Sequence, residues 1–243
     1  MTKIIFTFIL INLVGCTYFN HDNIINNKCT IAGAGSTQCK IKNLQDYTTT
    51  EKEASLGILY LYGDDKTSTN YKRAYEFLKL AINKNNIEAL NGLGIIHLYG
   101  LGKKPDYNLA EKYFKKAFEL GDKIAIYNLG ELYRKKNDIN LSSSWYKQAI
   151  ADNPYKAYEG LSKLYIQNYQ YKEAFIYSEK AAELKNSEAE YNLGVFFEKG
   201  IYVEKNIDKA IYWYKKAVQQ GHQDAFHNLQ GINGDYTNSK VSK

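Results

Sequence analysis

The stretch that decides the fold reads Ala189-Glu190-Tyr191-Asn192-Leu193-Gly194, then Gly200, then Asp208-Lys209-Ala210-Ile211-Tyr212-Trp213-Tyr214-Lys215-Lys216-Ala217, and closes on Gly221-His222. Its Leu-Gly pair has counterparts at Leu56-Gly57, Leu93-Gly94, Leu129-Gly130, Leu161-Ser162 and Leu229-Gln230, at spacings of 37, 36, 32, 32 and 36 residues. Five residues before each Gly position stands Ala89, Ala125, Ala157, Ala189 or Ala225, with Lys52 as the exception. Three after it stands a ring: Tyr60, His97, Tyr133, Tyr165 or Phe197. A second pattern follows, a small residue with Ala seven later: Ala74/Ala81, Ala110/Ala117, Ser142/Ala149, Ala174/Ala181 and Ala210/Ala217. Three after the first of these come Phe77, Tyr113, Trp145, Tyr177 and Trp213.

Spacings of three, four and seven are one face of an α-helix. Each repeat is therefore two helices, helix A around Leu-Gly and helix B around the paired small residues. Small positions let the helices approach, and the ring three after the first small residue is expected to fill the remaining space. Gly inside a helix costs about 1 kcal/mol against Ala, so its recurrence implies that close backbone packing offsets the cost. Thr50 with Glu53 and Ser187 with Glu190 read as capping boxes. Asp106, Asp122 and Asp138 read as N-caps, and Gly121 and Gly221 as helix-ending glycines.

These residues resemble tetratricopeptide-type repeats, and specifically the Sel-one-like subclass. The resemblance covers about residues 50–232. The first repeat is a weaker copy. The third and fourth carry Lys136 and Asn168 where the subclass has Gly after helix A, and their length is nearer a plain tetratricopeptide repeat. The implied fold class is all-α, a right-handed α-solenoid of stacked helix-turn-helix repeats. One repeat cannot bury its apolar face alone, so stacking makes the core. Residues 48–232 are the repeat region, with Asp224 to Ile232 as a capping half-repeat and 233–243 as a polar, frayed tail.

Residues 1–15 open with Lys3, run apolar from Ile4 to Ile11 broken only by Thr7, and end Leu13-Val14-Gly15 before Cys16. That is the length of a signal-peptide core and too short for a membrane span of about 20 residues. Leu13-Val14-Gly15-Cys16 resembles the bacterial lipobox, which implies a lipid anchor on Cys16 and, with Thr17 after it, sorting to the periplasmic side of the outer membrane. Residues 16–47 then read as the lipidated Cys and a flexible tether rich in Asn, Thr, Gly and Ser. Cys29 and Cys39 lie in it and are able to pair in an oxidising compartment. The glycine run at 32–36 lacks the Gly-Lys-Ser/Thr ending of a phosphate loop.

Of 243 residues, 32 are Lys or Arg and 26 Asp or Glu, a net charge of +6 spread thinly. Nucleic-acid binding asks for a concentrated stripe, and none is present, so no nucleic-acid partner is expected. A hydrophobic share of 44% suffices for a core. Three cysteines are too few for a disulfide-stapled mini-fold.

No catalytic constellation, metal site, cofactor or small-molecule substrate is expected. His21 lies in the tether, and His97 takes the place of a core ring. His222 and His227 stand five apart, off the spacing of a helical metal pair, and read as a cap and a surface residue. A protein or peptide partner remains. In the resembled superfamily the A helices line the concave face. The variable positions there are Tyr127, Glu131, Arg134 and Lys135 in the third repeat, Glu159, Lys163, Ile166 and Gln167 in the fourth, and Tyr191, Val195, Glu198 and Lys199 in the fifth. Tyr, Arg and both signs of charge suit a protein groove; the other reading is ordinary exposed helix. The resemblance implies either an envelope scaffold or adaptor, or an immunity protein that blocks a periplasmic toxin. A hydrolase comes third.

Overall fold

The computed structural model describes residues 48–64 and 67–241, with side chains as far as Ile232 apart from Lys84. Cys16, Cys29, Cys39 and His21 lie outside the described residues, as do the signal-peptide and tether readings.

Eleven α-helices are described, with no strand among the described residues. They are α1 (Thr49–Tyr62), α2 (Tyr71–Ala81), α3 (Ile87–Tyr99), α4 (Tyr107–Glu119), α5 (Lys123–Lys135), α6 (Ile139–Ala149), α7 (Pro154–Gln167), α8 (Tyr171–Glu183), α9 (Ser187–Lys199), α10 (Ile207–Gln219) and α11 (Gln223–Val241). Odd-numbered helices are the A helices of successive repeats and even-numbered ones the B helices. The arrangement is the stacked helix-turn-helix of an α-solenoid. The chain divides into two compact bodies, one ending at Asn128 and one beginning at Leu129, so the division falls within α5.

The starts of the helices follow from local chemistry. Asp106 and Asp138 accept from the backbone N–H three residues on, each at 3.0 Å. Asp122 accepts from Ala125 N–H at 3.0 Å, as the sequence implies. The two capping boxes are displaced. The first is Thr48 with Glu51, two residues upstream of the expected pair. At α9 the cap is Asn186, which accepts from Ala189 N–H at 2.9 Å, and Ser187 is already helical. Asn and Ser are about equally good caps, and with Asn186 holding that position Ser187 opens the helix. Gly100, Gly121, Gly200 and Gly221 sit in left-handed backbone just past their helices. In the third and fourth repeats that conformation falls to Asn137 and Tyr169. The last helix runs to Val241, into the segment from 233 onward expected as a frayed tail, and no Pro interrupts it.

The repeated small positions form the spine. Ala74, Ala81, Ala110, Ala117, Ala125, Ala157, Ala174, Ala181, Ala210, Ala217 and Ala225 are wholly buried, as is Ser142. The residue that fills the space between helices is not the expected ring. It stands one position later, four after the first small residue: Leu78, Phe114, Tyr146, Ser178 and Tyr214, all with no exposure. The expected rings Phe77, Tyr113 and Tyr177 are half-buried and instead meet the A-helix rings Tyr60, His97 and Tyr165, at centroid distances of 5.7, 5.7 and 5.6 Å. A heptad wheel places both positions inward, and only the depth of the seam separates them.

This deep row explains the glycines. A Cβ on Gly94 would stand 2.3 Å from the Phe114 ring, and one on Gly194 2.4 Å from the Tyr214 ring. Tyr146 presses on two glycines, Gly130 of its own repeat and Gly160 of the next, with Cβ positions 2.6 and 2.5 Å from its ring. The fourth repeat replaces Gly by Ser162, and there the deep residue shrinks to Ser178, whose hydroxyl bonds that of Ser162 at 2.7 Å.

Candidate functional site

The side chains expected to line a groove stand on α5, α7 and α9, within the carboxy-terminal body apart from Tyr127. Glu131, Arg134 and Gln167 are engaged with one another, as are Glu159 and Lys163. Glu131 is 5% exposed. Its carboxylate meets Arg134 Nη2 at 2.7 Å and accepts the hydroxyl of Tyr146 from beneath. Burial alone would raise the Glu131 carboxyl, but Arg134 and the two hydrogen bonds outweigh it and hold it below the ordinary carboxylate value. Arg134 is in turn locked in its charged form: burial opposes the charge, and Glu131 overrides it. Arg134 also donates to Gln167 Oε1 at 2.9 Å, which ties α5 to α7.

Glu159 on α7 is 7% exposed and accepts three donors: Lys163 Nζ at 2.6 Å, Lys156 Nζ at 3.3 Å, and the amide of Asn186 at 2.8 Å. The last bond carries the row to the start of α9. Glu190, a buried residue of α9 absent from the expected set, accepts from Gln220 Nε2 at 2.6 Å, and burial raises its carboxyl. Glu198 accepts the Tyr214 hydroxyl at 2.5 Å. Thus the two deep tyrosines each reach through their repeat to a carboxylate on helix A, Tyr146 to Glu131 and Tyr214 to Glu198. Repeats with a deep Leu or Phe have no such acid: the positions of Glu131 and Glu198 are held by Ile58 and Leu61 in the repeat of Leu78, and by Ile95 and Leu98 in that of Phe114.

A second regularity concerns the position three before the Gly position in three of the repeats. Asn91 donates to the next cap, Asp122, at 2.5 Å. Glu159 accepts from the next cap, Asn186. Tyr191 stacks on the next cap, His222, at 4.6 Å. These residues bind their neighbouring repeat: Glu159 is buried in that contact, whereas Tyr191 keeps part of its surface open. Tyr127 is half-buried and also engaged. Lys163 keeps 30% side-chain exposure, and Lys135, Gln167 and Lys199 are exposed. The sequence carried the signal in matched pairs, Asn with Asp, Glu with Asn, and Tyr with His, each spaced one repeat apart.

His222 is the cap the sequence suggested: its Nδ1 accepts from Ala225 N–H at 3.3 Å, and its Nε2 lies 3.5 Å from Glu188. His227 is exposed. In the amino-terminal body His97 is 3% exposed, between Tyr75 and Tyr113. Lys103 Nζ lies 3.1 Å from its Nε2 and 3.9 Å above the Tyr75 ring. An ammonium can only donate, so the His97 proton sits on Nδ1, which finds no acceptor. Burial, then Lys103, push this imidazole below its usual value against a smaller opposing pull from Asp106. No group of three or more His, Cys, Asp or Glu suited to a metal occurs among the described residues. No described helix is long and apolar enough to cross a membrane.

Comparison with known proteins follows the same repeat boundaries. The Sel1 repeat family matches residues 53–86, 87–122, 158–186 and 187–222, more than half of the chain, and a tetratricopeptide repeat family matches 125–154. The chain belongs to the Sel1-repeat family. The third repeat is thus the plain tetratricopeptide member, as its length implies, whereas the fourth is a Sel1 repeat despite its short turn. Among solved structures the chain is similar to a Sel1 repeat protein from Oxalobacter formigenes, with a TM-score of 0.61 and 24% identity over 80% of this chain and 81% of that one. It is also similar to a protective antigen of uropathogenic Escherichia coli strains displaying an SLR fold, with a TM-score of 0.53 and 23% identity over 79% and 43%. At these identities the likeness is one of fold. Among curated proteins it is 28% identical to a chitin synthase regulator of Malassezia restricta over 63% of this chain and 11% of that protein. It is 28% identical to activator of C kinase protein 1 of Saccharomyces cerevisiae over 66% and 37%. The chain therefore spans a minor part of these relatives. Sel1 repeats serve in protein–protein interaction.

Proposed function

We propose that this Sel1-repeat protein is a lipid-anchored scaffold of the bacterial cell envelope, held through Cys16 and engaging a protein partner along the A-helix face of its repeats. The observation that carries the reading is the polar ladder on α5, α7 and α9. Arg134 bridges to Gln167 across one helix pair, and Glu159 bridges to Asn186 across the next. A face already held by its own hydrogen bonds gives up little side-chain entropy on binding. Half-exposed Lys163 and exposed Gln167, each held by its hydrogen bond, and exposed Lys199 present charge and amide groups to a partner, the kind of arrangement that sets specificity and encounter rate. Family membership supports the protein partner, and the Leu13-Val14-Gly15-Cys16 motif supports the anchor.

Two measurements test it. Changing Cys16→Ala should leave uncut precursor and abolish acyl-chain labelling; a labelled, cleaved variant would remove the anchor. A photo-crosslinking residue at Lys163 should give a discrete protein adduct in cells, and one at Lys215 on α10, exposed on the other side, should not. Adducts at Lys215 alone would reject the A-helix face. An adduct with a secreted toxin would turn the scaffold into an immunity protein.

A further inference from the structure

Two tyrosines on one edge of the carboxy-terminal body occupy backbone that suits them poorly. Tyr169, between α7 and α8, has φ 58°, and Tyr202, between α9 and α10, has φ 63°. Bulky side chains are rare in this left-handed region because Cβ crowds the following carbonyl, whereas Gly and Asn accept it. Sister turns of the same chain use those residues: Gly102 holds the Tyr202 position at φ 74°, and Asn137 holds the Tyr169 position at φ 63°. Neither ring recovers the loss by burial, since Tyr169 is 77% exposed and Tyr202 52% exposed. Strain kept at exposed rings points to a contact outside the fold.

The two exposed rings are joined through half-buried Tyr171 and the buried rings of Phe196 and Phe175. Tyr169 meets Tyr171 edge-on at 6.2 Å, Tyr171 meets Phe196 at 6.5 Å, Phe196 meets Phe175 at 5.5 Å, and Phe175 meets Tyr202 at 5.7 Å. Exposed Lys172, Lys199 and Lys205 flank it, with Glu173 and Glu204 as the opposing charges.

We infer that this aromatic edge rests on an anionic phospholipid surface, an inference that builds on the lipid-anchor reading above. The rings project from turns, where they reach a flat surface rather than enclose a peptide. Amphipathic rings beside lysines are the composition that settles at a membrane interface, rings at headgroup depth and ammonium groups toward anionic lipid. Thirty-two positions separate Cys16 from Thr48, the first described residue, so an acyl anchor on Cys16 keeps the repeat region close to the bilayer.

The test uses the full chain. Tyr169→Trp and Tyr202→Trp are made separately, with the wild type and its Trp145 and Trp213 as background. Each is bound to vesicles of equal phosphatidylglycerol and phosphatidylethanolamine. The added indole should shift its emission to the blue, be quenched by lipid brominated on its acyl chains, and lose most of both effects near 1 M salt, where screening acts within about 3 Å. The double variant Tyr169→Asn/Tyr202→Gly carries the residues of the sister turns and so keeps the fold. In the wild type, acylation of Lys172 and Lys199 should slow several-fold on vesicles; in the double variant it should proceed at the solution rate. A chain that floats with vesicles while iodide still reaches the added indole overturns the membrane surface and leaves the anchor standing. A chain that fails to float removes both. An indole shielded without vesicles in a concentration-dependent way assigns the edge to a second copy of the chain and likewise overturns the inference.

Discussion

The ring of Tyr191 on α9 lies flat on the imidazole of His222 at the head of α11, centroids 4.6 Å apart and planes 17° from parallel. His222 is also the N-cap of that helix. One side chain therefore starts a helix and fastens it to the preceding repeat. Asp122 and Asn186 do the same work with hydrogen bonds, to Asn91 and Glu159. The stack is one of three contacts in which the cap of an A helix, Asp122, Asn186 or His222, is matched to a residue one repeat earlier.

Exchange of one matched pair for another tests this. Tyr191→Asn alone should destabilise, since a ring pair is worth about 0.5–1.5 kcal/mol beyond its burial. Adding His222→Asp rebuilds the Asn91–Asp122 pairing and should recover part of the loss. Urea denaturation of the four species gives the coupling. Additive effects would show that the stack carries no interaction of its own.

The deep row predicts a second coupling. Ser178→Tyr should cost about 1–3 kcal/mol through overpacking against Ser162. Ser162→Gly in the same chain reproduces the Gly194–Tyr214 arrangement and should restore much of it, with a coupling in the 0.5–3 kcal/mol range of contacting residues. If adding Ser162→Gly to the Ser178→Tyr variant brings no gain in stability, the Gly positions owe their identity to something else.

Glu131 and Arg134 should behave as a unit. Arg134→Ala leaves a buried carboxylate without its cation, a change that typically costs about 3–5 kcal/mol. Glu131→Gln/Arg134→Met removes both charges and should be far milder. Because the folded Glu131 carboxyl is held below its ordinary value, its stabilisation is present at neutral pH and disappears as pH falls through that lowered value. The acid limb of the thermal melt should therefore flatten in the double variant; an unchanged limb would place acid sensitivity elsewhere.

His97 predicts a separate effect nearer neutrality. Its folded value is depressed, so the unfolded chain takes up a proton first. Stability should hold above about 6.5 and fall as the pH drops from there toward the lowered folded value. His97→Tyr matches Tyr60, Tyr133 and Tyr165 at the same repeat position and should abolish this step while preserving the fold. The melting temperature between pH 7.5 and 5 is the measurement, and a step that survives His97→Tyr sinks the assignment.

The repeat count, the helix pairs and the buried alanines were legible in the sequence because helical period and repeat length impose spacings that any reader can align. Asp106, Asp122, Asp138, Gly121 and Gly221 were legible too, because capping is decided within one turn of chain. What lay beyond local spacing was depth. Positions three and four after Ala210 both face inward on a wheel, yet Trp213 is half-buried and Tyr214 wholly buried, and only the angle at which two helices meet separates them. The same holds for Glu159 and Tyr191. Their places on helix A follow from the sequence, but whether they face a partner or the next repeat depends on how closely the caps at Asn186 and His222 approach, a distance set by packing between helices some thirty residues apart.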